Sequence, residues 1–421
     1  MNKMTVRDID VTGKRVLVRV DFNVPLDEKT GAITDDTRIR ATLPTIRYLT
    51  QRGASVILIS HLGRPGGRVV DELRLSIIGQ RLSQILGHQV GVATDCIGPE
   101  VEKSVETLQS GDVLLLENLR FHSDEERGSV SFAQALARLG DIFVNDAFGT
   151  SHRAHASISG IAHFLPSVAG LLLEREMKAL GSILENPAHP FASLLGGAKV
   201  SDKVNMLRNI MGRVNSILIG GGMAATFLKA QSYEVGLSLV EEDRLDVAAD
   251  VIEKAKRNGV HLLLPVDVVV ADKLDAEAKV EIVPVDRIPR DKMIVDVGPQ
   301  TIENFGDELK GSKTVFWNGP IGVHEIAEFD KGTRAMARLL AELDATTIIG
   351  GGSTAEVVSE MGLADKITFI STGGGASLRF LGNESLPGVE SLRDADTGPA
   401  DVGFKLISDL SRLSPVHRDQ C

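Results

Sequence analysis

The chain has 421 residues, 43% of them hydrophobic and 24% charged, which excludes a disordered chain, a collagen or a coiled coil and suits two or three globular domains. With 46 basic against 57 acidic residues the net charge is −11, so general nucleic-acid binding is not expected, and any anionic ligand needs a local concentration of basic groups. No apolar run reaches the ~20 residues of a membrane helix and no basic–apolar leader opens the chain; Cys96 and Cys421 are too few for a disulfide framework or a cysteine-built metal site, and a cytoplasmic protein is expected.

In chain order, short apolar runs at 15–20, 55–59, 112–116 and 141–144 alternate with helix-length segments. The pattern continues at 191–195, 216–219, 261–264, 314–317, 346–349 and 367–370. Most lack a two-residue alternation, as strands buried on both faces do. The expected fold is therefore α/β, with two Rossmann-like three-layer domains and mostly parallel sheets. Residues 174–185 read as a helix joining them, with Met177, Leu180 and Leu184 on one stripe and Asn186-Pro187 as its stop. The expected boundaries are 1–173, a linking helix at 174–186, a second domain at 187–392 and a polar tail at 393–421.

In open α/β sheets the ligand crevice lies beyond the carboxyl ends of the strands, and the unusual residues fall there. Asp21 and Asn23 follow the first strand, His61 and Arg64 the second, and Asn118 and Arg120 the third; His152, Arg153 and His155 come soon after the fourth. Arginine forks match phosphate and carboxylate bidentately, so the first half suits a small anion carrying both. His152 and His155 lack a carboxylate at ligand spacing, so no zinc site is expected there.

The second half ends its strands in glycine instead, at Gly196-Gly197, Gly220–222, Gly319, Gly350–352 and Gly373–375. Strand–glycine–helix junctions aim backbone N–H groups at phosphate, and this number of them favours a polyphosphate ligand. No G-x-x-x-x-G-K-[ST] is present, which excludes a Walker-type NTPase. Gly350-x-Gly352-x-x-Ala355 loosely fits a dinucleotide fingerprint but lacks the acid about 20 residues on. Lys199 and Lys203, four residues apart after the Gly196-Gly197 turn, are expected on one helix face, able to neutralise a moving phosphoryl group.

The segments VRVDFNVP (18–25), SHLGRP (60–65), LENLRF (116–121), VNDAFGT (144–150) with Arg153, GGAKVSDK (196–203), FWNGP (316–320) and STGGGA (371–376) together resemble the phosphoglycerate kinase family, in order from about residue 5 to 392. The resemblance implies a cytoplasmic glycolytic and gluconeogenic transferase that moves a phosphoryl group reversibly from 1,3-bisphosphoglycerate to ADP, giving 3-phosphoglycerate and ATP. It implies Mg2+ bound mainly through the nucleotide phosphates, no metal held by the protein alone, a monomer, and two domains that close over the ligands. The first domain would bind 3-phosphoglycerate through Asp21, Phe22, Asn23, Arg38, His61, Leu62, Gly63, Arg64, Arg120 and Arg153. The second would bind ADP or ATP through Gly196, Gly197, Lys203, Asn318, Glu325, Gly350, Gly351, Gly352 and Ser353. Arg38, Lys199, Lys203, Gly373 and Gly374 would serve the transfer step.

Two residues depart from the family pattern. Ser353 stands where an aspartate associated with the magnesium–nucleotide is usual, and His324 where an aromatic is common. With the added tail, Ser353 leaves a second reading, a non-catalytic ligand-binding descendant.

Overall fold

In the computed structural model residues 2–395 are described, so the expected tail lies outside them from residue 396 onward. The first sheet has six parallel strands: β1 (Arg15–Arg19), β2 (Ser55–Ile59), β3 (Gly91–Val92), β4 (Val113–Leu115), β5 (Ile142–Asn145) and β6 (Ser167–Ala169), in the order β3-β4-β2-β1-β5-β6. Next come β7 (Phe191–Leu195), β8 (Ser216–Ile219) and β9 (His261–Leu263), then β10 (Asp267–Ala271), β11 (Val280–Pro284) and β12 (Met293–Val297), and last β13 (Thr314–Asn318), β14 (Thr346–Gly350) and β15 (Phe369–Ile370). The second parallel sheet runs β15-β14-β13-β7-β8-β9. Helices cover both faces of each parallel sheet, which explains the unbroken apolar runs: β2, β7, β8 and β13 are buried throughout.

All the expected strands are present, with ends shifted by one or two residues. Two short strands, β3 and β6, were not expected, nor was the separate antiparallel sheet β11-β10-β12. Its edge strand β11 is mostly exposed, so its sequence carries little of the burial that marks the other strands.

The linking helix spans Leu171–Glu185, beginning three residues earlier than expected. Its first turn is capped from elsewhere in the chain. Asp146 accepts the N–H groups of Leu172 and Leu173 at 2.9 and 3.1 Å, and Thr45 Oγ1 accepts that of Leu171 at 2.9 Å. No local sequence signal reports a cap of that kind. Its buried stripe, Leu173, Met177, Leu180 and Ile183, belongs to the core of the second sheet. The segment at 388–395 returns to the first sheet: Asn145 donates to Gly388 O, Arg393 N–H to Ser167 O and Met4 N–H to Arg393 O, while Lys3 pairs with Asp394.

Candidate functional site

Each parallel sheet reverses its strand order beside its first strand, at β1/β5 and at β7/β13, and ligand crevices form at such points. In the first sheet, Asp21 follows β1 and Phe148–Thr150 follows β5. Arg38 Nη1 donates to Asp21 Oδ2 at 3.0 Å, Gly63 N–H to Asn23 Oδ1 at 2.8 Å, and Arg120 Nη1 to Gly63 O at 2.8 Å. Phe22, Leu62 and His61 are buried beneath these polar groups. Burial, then the nearby charges of Arg19, Arg120, Arg38 and Arg153, push the His61 imidazole well below its ordinary range. Strand ends separated widely in sequence thus deliver several guanidinium groups around one neutral histidine. Arg64 is exposed on the rim of the same loop, with no ion pair among the described residues.

Sequence reasoning missed the support beneath this patch. Arg19 is buried inside β1; its Nε donates to Ser157 Oγ at 2.9 Å and its Nη2 lies 3.1 Å from His61 Nδ1. Glu125, also buried, accepts from Ser157 N–H and Oγ at 2.9 and 2.6 Å and lies 3.7 Å from His155 Nδ1. His155 therefore has a carboxylate partner, from a segment that spacing along the chain did not suggest. Arg19 donating to Nδ1 leaves the imidazole proton on Nε2. The available signal was a charged residue within the apolar run of β1.

The second sheet ends in stacked glycine turns. Gly196 N–H donates to Asn318 O at 3.0 Å, and Gly197 N–H to Pro320 O at 2.8 Å. A Cβ on Gly196 would lie 2.1 Å from Pro320 O, so no other residue fits without moving backbone. Asn318 Nδ2 is buried without a hydrogen-bond partner and points to Gly350 and Gly351. An unpaired buried donor over a glycine turn suits an anionic oxygen. Gly197, Gly222, His324, Glu325 and Ser353 line a pocket of about 370 Å³ whose apolar wall includes Leu239, Met293 and Val295. That wall draws on the unexpected antiparallel sheet.

The lysine expectation needs correction. The helix after the Gly196-Gly197 turn is Val204–Ile210, and residues 199–203 are not helical, with a turn at 201–203. Glu241 holds them so, accepting from Val200 N–H, Ser201 N–H and Ser201 Oγ. Lys199 is exposed, whereas Lys203 is buried, its Nζ 3.3 Å from where a Gly197 Cβ would stand. The two lysines do not share a helix face. Burial lowers the pKa of Lys203.

The two halves meet. A cleft of about 850 Å³ is lined by Thr37 and Arg38 of the first half, by Arg175 of the linking helix, and by Gly352, Thr372 and Gly374 of the second half. A Cβ on Gly373 would stand 2.5 Å from the Phe148 ring. Glu176 of the linking helix joins them, accepting from Ser371 Oγ at 2.7 Å and from Thr372 N–H and Oγ1 at 2.6 and 2.8 Å. Gly374, with φ of 51°, turns the chain into the helix Gly375–Leu381.

Two parallel sheets, one ending in arginines and the other in glycine turns, with Arg38, Gly352 and Gly374 on one shared cleft, are the architecture of a two-lobed phosphotransferase. The phosphoglycerate kinase family profile matches residues 6–384. Phosphoglycerate kinases of Moorella thermoacetica and Roseiflexus castenholzii are 52% and 53% identical over 394 and 397 residues, covering 94% of this chain and 100% of each relative. Solved phosphoglycerate kinases from Coxiella burnetii and Pyrococcus horikoshii superpose with TM-scores of 0.81 and 0.82 at 40% and 32% identity, covering 92% of this chain and 98% of theirs. The chain belongs to the phosphoglycerate kinase family and is an enzyme, a phosphotransferase with a carboxyl group as acceptor. No helix among the described residues is long and apolar enough to cross a membrane.

Proposed function

We propose that the two faces of the cleft divide one reaction between them, the reversible transfer of a phosphoryl group from 1,3-bisphosphoglycerate to ADP. In this reading Asp21, Asn23, Arg38, His61, Arg64, Arg120 and Arg153 hold the glycerate, with the neutral His61 offering its Nε2–H to a substrate oxygen. The turns at 196–197 and 350–353, with Asn318, Lys203 and Glu325, hold the nucleotide, its base against the apolar wall. The observation that carries the proposal is the shared cleft: Arg38 and the turns at Gly352 and Gly374 line one space.

An acyl phosphate is already an activated donor, so no protein nucleophile is required. A nucleotide oxygen attacks in line, and catalysis is positioning plus charge neutralisation. Arg38, Lys199 and the backbone N–H groups of Gly374 and Gly375 would share the charge of the transferring group, while the Gly373 N–H donates to Ser371 Oγ and fixes the turn. Lys203, buried beneath the turn, is a fixed positive charge for the nucleotide phosphates. Closing the lobes excludes water, which would otherwise hydrolyse the acyl phosphate.

The turn at 350–353 contains no carboxylate, and the unpaired donor of Asn318 suits a phosphate oxygen rather than a cation. This donor set fits Mg2+ arriving on the nucleotide, with the Ser353 hydroxyl beside it; the ion would neutralise phosphoryl oxygens. A cytoplasmic monomer completes the proposal.

A coupled assay with 3-phosphoglycerate and ATP tests it. Lys199→Ala is expected to lower kcat at least about tenfold, ~1.4 kcal/mol of barrier, with little change in nucleotide KM. Unchanged kcat would remove Lys199 from the chemistry.

A further inference from the structure

Away from the cleft, three chemically different donors converge at the edge of the first sheet. β3 and β4 are parallel neighbours, so the loops that follow them leave the sheet on the same side. The first loop carries Asp95 and Cys96; the second, after Leu119–Phe121, carries His122. His122 Nε2 lies 2.6 Å from Asp95 Oδ1. The Cys96 sulfur, fully buried, completes a group whose ligand atoms all lie within 4.8 Å of one another. Among the described residues no other three His, Cys, Asp or Glu side chains converge in this way.

We propose that Asp95, Cys96 and His122 form a binding site for a zinc-type divalent cation. Ligands at ~2.0 Å for nitrogen and oxygen and ~2.3 Å for sulfur stand about 3.3–3.8 Å apart around a tetrahedral ion. Reaching that geometry requires the Asp95–His122 contact to open and the sulfur to close by at most about 1.3 Å. Thiolate, imidazole and carboxylate together select zinc or a similar borderline ion over magnesium or calcium. The Asp95 and His122 side chains are 48% and 28% exposed, which leaves an entry path and a fourth position for water. On binding, the sulfur–metal bond forms as the S–H bond breaks, and the proton leaves to solvent with no change of oxidation state.

The site would brace functional machinery without joining it. His122 lies two residues beyond Arg120, and its carbonyl accepts the N–H of Glu125 at 3.2 Å. An ion there would tie the loop after β3 to the segment that places Arg120 and Glu125.

The test uses the full chain carrying Cys421→Ser, so that Cys96 is the sole thiol, stripped of metal with a chelator. Zinc chloride titrated against a competing fluorescent chelator is expected to show one saturable equivalent. His122→Gln and Cys96→Ser should each weaken it at least about tenfold. Cobalt in place of zinc should give a thiolate charge-transfer band in the near ultraviolet, a readout of the unmutated site that needs no core variant. Zinc should also raise the melting temperature of this background and leave that of His122→Gln unchanged. Absence of a saturable equivalent, absence of the charge-transfer band, or equal binding by His122→Gln would overturn the proposal and leave an ordinary Asp–His pair beside a core cysteine.

Discussion

Glu176 is the buried contact between the linking helix and the 371–373 loop, and it makes a quantitative prediction. Burial raises its carboxyl from 4.5 to about 7, against the opposing pull of hydrogen bonds from Ser371 and Thr372. Between those two values the folded state keeps a proton that the unfolded chain has lost. Its contribution to stability is therefore complete below about 4.5 and is lost as pH rises toward 7, opposite to a carboxylate paired with a base. At ~1.4 kcal/mol per unit, going from pH 5 to pH 8 removes roughly 2–3 kcal/mol. Glu176→Gln keeps an acceptor for Thr372 and cannot ionise, so it should escape that loss. Urea unfolding of both proteins at a series of pH values measures the difference. The variant should gain roughly 2–3 kcal/mol on the wild type between pH 5 and pH 8. Parallel stability curves would mean that Glu176 is already ionised in the fold, and the reasoning from burial would fail.

Three further outcomes follow from the site. Ser353→Asp, by adding a hard-cation ligand to the 350–353 turn, should lower the Mg2+ concentration for half-maximal rate; no change would mean the ion is held without help from this position. The His61 ring should not titrate with a midpoint near 6.5 when followed by NMR, because burial and the surrounding arginines favour the neutral form; an ordinary midpoint would contradict the packing of Arg19 against it. Gly373→Ala places a methyl 2.3 Å from Ser377 Oγ and 2.5 Å from the Phe148 ring, which should cost about 1–3 kcal/mol in a urea melt; an unaltered midpoint would mean the two loops have room between them.

Much of the architecture was legible because both parallel sheets are covered on both faces. A strand such as β2 or β7 then appears as an unbroken apolar run, and the residues beyond its end stand out. In the antiparallel sheet β11 is largely exposed and carries no such run, whereas β10 does, at Val268–Val270, and was legible but overlooked. The linking helix was recognised from its stripe and its proline stop, but its start depends on Asp146 and Thr45, distant in sequence. Tertiary hydrogen bonding likewise decided the lysines, where Glu241 keeps residues 199–203 out of a helix. The arginines of the anion patch were visible as types at strand ends. Arg19, Glu125 and Ser157 beneath them were not, since their role exists only once separate segments pack. The same holds for Asp95 and His122, which meet because β3 and β4 are neighbours.

The division of labour between the lobes is open to direct measurement by isothermal calorimetry, titrating 3-phosphoglycerate and ADP separately into the wild type, Arg120→Ala and Gly196→Ala. Arg120→Ala should weaken 3-phosphoglycerate at least about tenfold and leave ADP unchanged, and Gly196→Ala should do the reverse. Loss of both ligands in a correctly folded Arg120→Ala protein, or of neither, would contradict the assignment of one substrate to each face of the cleft.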